Sequence, residues 1–278
     1  MLNLLERNID AIENRLLLLT PAHWPLPNAF RKGIVDKRMH NQLLRQMQRM
    51  RGEVYVRDGA IKPTELSRGG LHRTAQDDRA WHLLMLDEDQ KVTGCIWYLE
   101  HDTPVGMDDL RIRTCPLASD GAWGDRVRRA VDAEIDRADR NRLAYGEVGG
   151  WAVSRHHRPA DGLLLIVACY SLIRVLGNAL GVTMATTRHS SATILRRIGL
   201  ARFEVEGQLL PLYHDPRYGC EMELLRFDTE HPSPQYEHVI EALRERLPHV
   251  AAMSATRHVP KTFGFPYPVY GEAVVGAA

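Results

Sequence analysis

The chain has 278 residues, of which 44% are hydrophobic and 26% charged, the balance of a folded globular protein rather than of a disordered one. Its 36 basic and 35 acidic residues leave a formal net charge of +1, so no overall field points to nucleic acid or to an anionic membrane surface. The four cysteines, Cys95, Cys115, Cys169 and Cys220, are scattered and form no Cys-x-x-Cys pair, which reads as reduced thiols in a cytosolic protein.

Residues 1–45 read as an N-terminal helical extension, broken by Pro21, Pro25 and Pro27 before a second helix from Val35 to Arg51. Leu16 to Leu19 is too short an apolar run for a signal peptide. A turn-rich stretch, Asp58 to Asp78, leads to the regular core, residues 46–230. His82 to Leu86 and Val92 to Tyr98 read as a hairpin around the polar turn Asp87-Glu88-Asp89-Gln90. Trp123 to Arg142 has apolar residues at helical spacing, and Leu143 to Val153 reads as a strand carrying Gly149-Gly150. Leu163 to Leu180 approaches transmembrane length, but Arg174 and Asn178 interrupt it, and strands flank it on both sides. A buried helix lying on a sheet, with no membrane span, explains it better. Val182 to Thr186 is the next strand, Ser190 to Ile198 a helix stopped by Gly199, and Ala201 to Leu210 and Cys220 to Phe227 close the sheet. Residues 231–278 read as a helix and a tail with Phe263-Gly264-Phe265-Pro266-Tyr267-Pro268. Hairpins demand antiparallel neighbours and strand–helix–strand crossovers demand parallel ones, so the class is α/β (α+β) with a mixed sheet.

Two segments in this order resemble the GNAT superfamily of acyltransferases. Gly146-Glu147-Val148-Gly149-Gly150-Trp151-Ala152-Val153, followed by Ser154-Arg155-His156-His157-Arg158, resembles its central strand and pyrophosphate loop. Thr187 to Leu200 resembles its penultimate helix and following turn. Within the superfamily the chain is similar to acyl-homoserine-lactone synthases and bacterial N-acyl amino acid synthases. Arg51-Gly52-Glu53-Val54-Tyr55 resembles their Arg-x-x-Val-aromatic signature, and Asp77-Asp78 stands where they carry paired acids. Asp215 to Leu225 resembles the end of the amino acid synthases. The likeness covers about residues 45 to 228, and the order of these weak motifs is its main support. There are departures. Val148-Gly149-Gly150 replaces the usual continuation through Ser-Arg, Pro159-Ala160-Asp161 replaces most of the loop glycines and leaves Gly162, and Leu195 stands where many acetyltransferases place a Tyr.

The resemblance implies transfer of an acyl group, expected to be long-chain, to the amine of a small molecule such as an amino acid. The thioester donor would be an acyl carrier protein or coenzyme A, with no metal. Alternatives are a coenzyme A-dependent acetyltransferase on another amine and a catalytically silent binding module. Glu147 is the expected base, against the reading of an ion-paired Glu with no role. Gly149-Gly150 reads either as a bulge or as a close approach, with the donor arm along Gly150, Trp151, Ala152 and Val153. Arg155, His156, Arg158 and Gly162 are expected at the donor phosphate, against the reading of a solvated basic turn. Arg51 and Asp78 either hold the acceptor or form a local ion pair. Trp81 and Trp97 read as core, and Tyr145 and His189 as candidate acids for the leaving thiol.

Overall fold

A computed structural model describes residues 5–6, 9, 12–155, 157–158 and 160–257. Its strands are β1 (Leu16–Leu19), β2 (Lys32–Val35), β3 (Trp81–Leu86), β4 (Val92–Glu100), β5 (Ala144–Val153) and β6 (Ala179–Thr186), then β7 (Ala201–Arg202), β8 (Glu204–Val205), β9 (Gln208–Leu209), β10 (Tyr213–Asp215), β11 (Cys220–Asp228) and β12 (Ala251–Ser254). The α-helices are α1 (Lys37–Arg57), α2 (Gly124–Arg140), α3 (Asp161–Val175), α4 (Ser191–Ile198) and α5 (Pro234–Arg246). Strands run β10-β11-β6-β5-β4-β3-β1-β12-β2 in one sheet, with β7 also on β11 and β8–β9 a separate hairpin. β5 and β6 are parallel, as are β1, β12 and β2 in turn, and the other neighbours in the large sheet are antiparallel. The sheet is therefore mixed, as expected.

Two sequence expectations need correction. Residues 1–45 are not a purely helical extension, because Leu16–Leu19 enters the sheet between β3 and β12, and Lys32–Val35 forms its edge. Four consecutive leucines carry no period, and here they are buried on both faces. Residues 231–278 likewise contain β12, which pairs with β1 and β2, so the sheet draws on all three expected segments. The aromatic tail from 263 to 268 lies outside the described residues.

The long apolar run divides into α3 and the start of β6. From Leu163 to Ile173 every residue of α3 is buried, because β3, β4 and β5 lie on one side and α5 on another. That enclosure explains why no polar stripe marks its sequence. Among the described residues no helix is long and apolar enough to cross a membrane. On the opposite face, α1 begins at Asp36, whose carboxylate accepts the Met39 N–H at 2.9 Å. It buries Leu43, Leu44, Met47, Met50 and Val54 against Leu84, Cys95 and Ala152. α2 sets Val127, Ala130 and Val131 against Tyr145, Leu180 and Val182.

A buried polar network joins α1 to β3 through the loop between them. Arg51 Nη2 donates to both Asp77 carboxylate oxygens at 2.9 Å, and side-chain exposure is 1% and 2%. Gln48 Nε2 at 2.9 Å, the Thr74 N–H at 3.0 Å and the Thr74 hydroxyl at 2.9 Å complete the carboxylate's shell. Burial pushes the Asp77 carboxyl up, but Arg51 and the other donors outweigh it and hold it below the ordinary range. His82 Nε2 donates to the Asp77 carbonyl at 2.8 Å. Burial takes this imidazole down to about 4, with Asp77 pulling the other way. Breaking one partner of such a pair leaves a buried charge without compensation.

Asp77→Asn is expected to lower the unfolding free energy by about 3–5 kcal/mol, measured by urea titration at pH 7. The histidine gives a separate expectation. The unfolded chain protonates His82 near 6.5 and the folded chain only near 4, so stability is full above pH 6.5 and declines as pH falls from 6.5 toward 4. The loss across that window should approach about 3 kcal/mol. His82→Asn should flatten the slope, and an unchanged slope would remove His82 as its source.

Candidate active site

β5 changes neighbours along its length. From Ala144 to Glu147 it pairs with Ala179 to Val182 of β6, and Thr183 Oγ1 then donates to the Val148 carbonyl at 2.8 Å. Beyond that point β6 follows β11 to Thr186, and among the described residues no strand pairs with 149–153 on the β6 side. On its other side β5 stays with β4 as far as Val153, with a register shift between Cys95 and Trp97. The two strands therefore part immediately after Glu147.

The glycine pair is explained by Trp97. A Cβ at Gly149 would stand 2.5 Å from the indole, and one at Gly150 would stand 2.3 Å from it. Gly150 also has φ +64, a conformation that L side chains rarely adopt. The β4–β5 register shifts here, as a bulge requires, and the group in close approach is the Trp97 indole and not another backbone. Cys95 Sγ donates to the Gly150 carbonyl at 3.2 Å. Trp97 is 2% exposed, as expected of a core residue, but it packs with Ala80 and Leu99 in a small cluster of its own. Trp81 belongs to the main core beneath α3.

Side chains alternate along a strand, so Tyr145, Glu147 and Gly149 share the face that α2 and α1 cover. Glu147 is buried, and both of its carboxylate oxygens are engaged. Oε1 accepts the Arg111 backbone N–H at 2.9 Å, and Oε2 lies 3.1 Å from His101 Nε2. His101 extends β4, donating its N–H to the Tyr145 carbonyl at 3.0 Å. Sequence reasoning missed both partners. His101 could have been found by carrying the β4–β5 register one residue past Glu100, whereas Arg111 comes from an irregular loop that no periodicity marks.

Two guanidinium groups converge near the glycine pair. Arg51 is fully buried, and among the described residues its Nη1 has no hydrogen-bond partner. That nitrogen lies 3.3 Å from where a Gly150 Cβ would be. Arg111 stacks over the Trp97 ring at 5.1 Å from its centroid. No ion pair involves its guanidinium among the described residues. Tyr55 and His72 stand close by, with ring centroids 5.1 Å apart. Burial, followed by the Arg51 charge, holds His72 down at about 4. The expected pairing of Arg51 with Asp78 does not form. Asp78 is exposed, while the Thr74 turn points Asp77 inward to take that place.

The remaining expected residues lie along one path. Gly150, Trp151, Ala152 and Val153 are consecutive on the half of β5 that pairs with β4 alone. Arg155 is exposed beyond it, and Arg158 is exposed with its guanidinium on Glu88 at 3.2 Å. Gly162, in the first turn of α3, lies against the Trp151 ring. His156 is outside the described residues. Burial drives the Tyr145 phenol above its ordinary range, and its hydroxyl has no partner, a poor setting for an acid that must exchange protons. His189 is exposed, with φ +56, in the short 3-10 turn that follows β6. Asp228, Glu230 and His231 approach one another closely enough to share a cation, but Asp228 already holds Arg137 at 2.9 Å.

No protein-family model matches the chain. No curated protein matches it either. Solved structures do. A CoA-dependent acyl-homoserine lactone synthase, BjaI, determined with SAM and isopentyl-CoA, is 14% identical over 86% of this chain and 92% of that one, with a TM-score of 0.50. MesI, another CoA-dependent acyl-homoserine lactone synthase, is 17% identical over 87% and 99%, with a TM-score of 0.48. FeeM, an N-acyl amino acid synthase from uncultured soil microbes, is 12% identical over 67% and 90%, with a TM-score of 0.42. At such identities the likeness concerns architecture, and it rests on the first of these. The chain has the mixed α/β, GNAT-like fold found in the acyl-homoserine lactone synthases.

Proposed function

We propose that the chain is an N-acyltransferase that moves an acyl group from a thioester to the amine of a small molecule bearing a carboxylate, such as an amino acid. The observation that carries this reading is the position of buried Glu147 where β5 and β6 part. The donor's pantetheine arm enters the gap along Gly150 to Val153, whose backbone has no strand partner on that side among the described residues. Its N–H groups then bind the arm and polarise the thioester carbonyl. The donor is an acyl carrier protein or coenzyme A thioester.

Glu147 takes the proton that the amine loses. Each carboxylate oxygen accepts one hydrogen bond already and has a second lone pair for the substrate. The amine nitrogen attacks the carbonyl carbon, the C–N bond forms as the C–S bond breaks, and the thiolate leaves to be protonated. His101 fixes the Glu147 side chain and is a positioning residue. Arg51 Nη1 and the Arg111 guanidinium receive the acceptor's carboxylate. A buried cationic nitrogen without a partner is costly unless something fills its place. The Asp77 charge offsets Arg51 but leaves Arg111 open.

The direct test is mass spectrometry of lipid extracts from cells expressing the chain, compared with cells expressing Glu147→Gln. New acylated amines should appear only in the first. With the purified protein, Glu147→Gln should lower kcat by about 100-fold or more, and unchanged turnover would exclude the proposed base. Arg111→Met should raise KM for an amino acid acceptor by about 10-fold while leaving KM for the corresponding amino acid amide little changed. Equal effects on the two acceptors would exclude the carboxylate role.

A further inference from the structure

From Arg31 to Met39 nine consecutive residues are exposed. They run from β2, the outermost strand of the sheet, through the Asp36 cap into the first turn of α1. Side chains alternate along a strand, so Ile34 and Val35 lie on opposite faces of β2, and both are uncovered because the sheet ends there. Ile34 is 51% exposed, Val35 38% and Met39 41%. Only Leu209 and Leu212 among the other described large hydrophobics are comparably exposed. Cations surround the three. Arg31, Lys32, Lys37 and Arg38 flank them, and Arg45 and Arg49 continue along the outer face of α1, where positions 38, 42, 45 and 49 form one exposed stripe. Asp36 is the one acid between positions 31 and 49, and its carboxylate already accepts the Met39 N–H. Among the described residues Lys32 meets Glu13 at 3.1 Å, while Arg31, Lys37, Arg38, Arg45 and Arg49 meet no carboxylate. Elsewhere exposed arginines are paired, Arg128 with Asp108, Arg129 with Glu206 and Arg244 with Glu241. A chain of formal net charge +1 thus concentrates unpaired positive charge on this stretch.

We infer that the β2 edge and the outer face of α1 form a docking surface for an anionic lipid bilayer, with Ile34, Val35 and Met39 entering the headgroup layer and the arginine stripe lying on lipid phosphates. Apolar side chains set among cations match both parts of such a surface, the acyl boundary and the negative potential above it. A nucleic acid offers phosphates but no apolar layer to receive the three hydrophobic side chains. Arg51 lies on the opposite, buried side of α1, so this face is separate from the candidate active site. Its role stands or falls apart from acyl transfer.

Flotation of the full chain with vesicles of phosphatidylcholine alone, or of equal parts phosphatidylcholine and phosphatidylglycerol, tests this. The chain should float with the anionic vesicles and not with the neutral ones, and about 1 M salt should reduce the bound fraction. The triple variant Arg38→Gln, Arg45→Gln, Arg49→Gln should weaken the affinity by about 10-fold or more. Ile34→Ser with Met39→Ser leaves the charge unchanged and should weaken it by about 10-fold as well. All five positions are exposed, so both variants should fold as the wild type does, which circular dichroism checks. No flotation with anionic vesicles, or equal flotation with neutral ones, overturns the inference, and this comparison needs no variant. Undiminished binding by either variant overturns it too. Tighter binding of duplex DNA or polyglutamate than of the anionic vesicles would assign the stripe to a polyanion instead.

Discussion

A strand can share hydrogen bonds with a neighbour only while the two run together, and β5 loses its β6 neighbour after Glu147. The rest of the site depends on that separation. It leaves a run of backbone donors and acceptors in the middle of a sheet, where elsewhere they would be consumed by pairing. It also places the last paired side chain, a buried carboxylate, at the apex of the opening. The sheet can tolerate the gap because the other edges of both strands are secured, β5 by β4 and β6 by β11.

Around that opening the molecule places charge with care. Arg51 is neutralised by Asp77, and Asp161 by Arg15, so two of the deepest charges arrive already paired. The Arg51–Asp77 pair also fixes α1 against the loop that feeds β3, so the position of the guanidinium is set by the packing of the whole helix. Its second terminal nitrogen is then held in place without a partner. Such a group is preorganised, and its cost is borne by the fold and not by ligand binding.

Much of the architecture was legible in the sequence, because hairpins, the amphipathic α2 and the crossover through α3 each leave a periodic or turn signature. Glu147 and Gly149-Gly150 were legible from their place on the central strand. What escaped has identifiable causes. Leu16–Leu19 and Ala251–Ser254 are short apolar segments whose strand character comes only from partners far away in the chain. The choice of Asp77 over Asp78 depends on one turn at Thr74, and adjacent aspartates cannot be told apart by spacing. His101 and Arg111 reach Glu147 through tertiary placement, which no local pattern encodes.

The indole of Trp97 and the two absent side chains at 149 and 150 occupy a single volume shared between neighbouring strands. With no side chain at 149 and 150, β5 leaves that volume to the Trp97 indole of β4. The indole brings a π face to this part of the site, and the Arg111 guanidinium lies over it. Positions 97, 149 and 150 are therefore sterically coupled. A smaller residue at 97 would free the glycines to diversify, while growth at either glycine first requires the tryptophan to shrink.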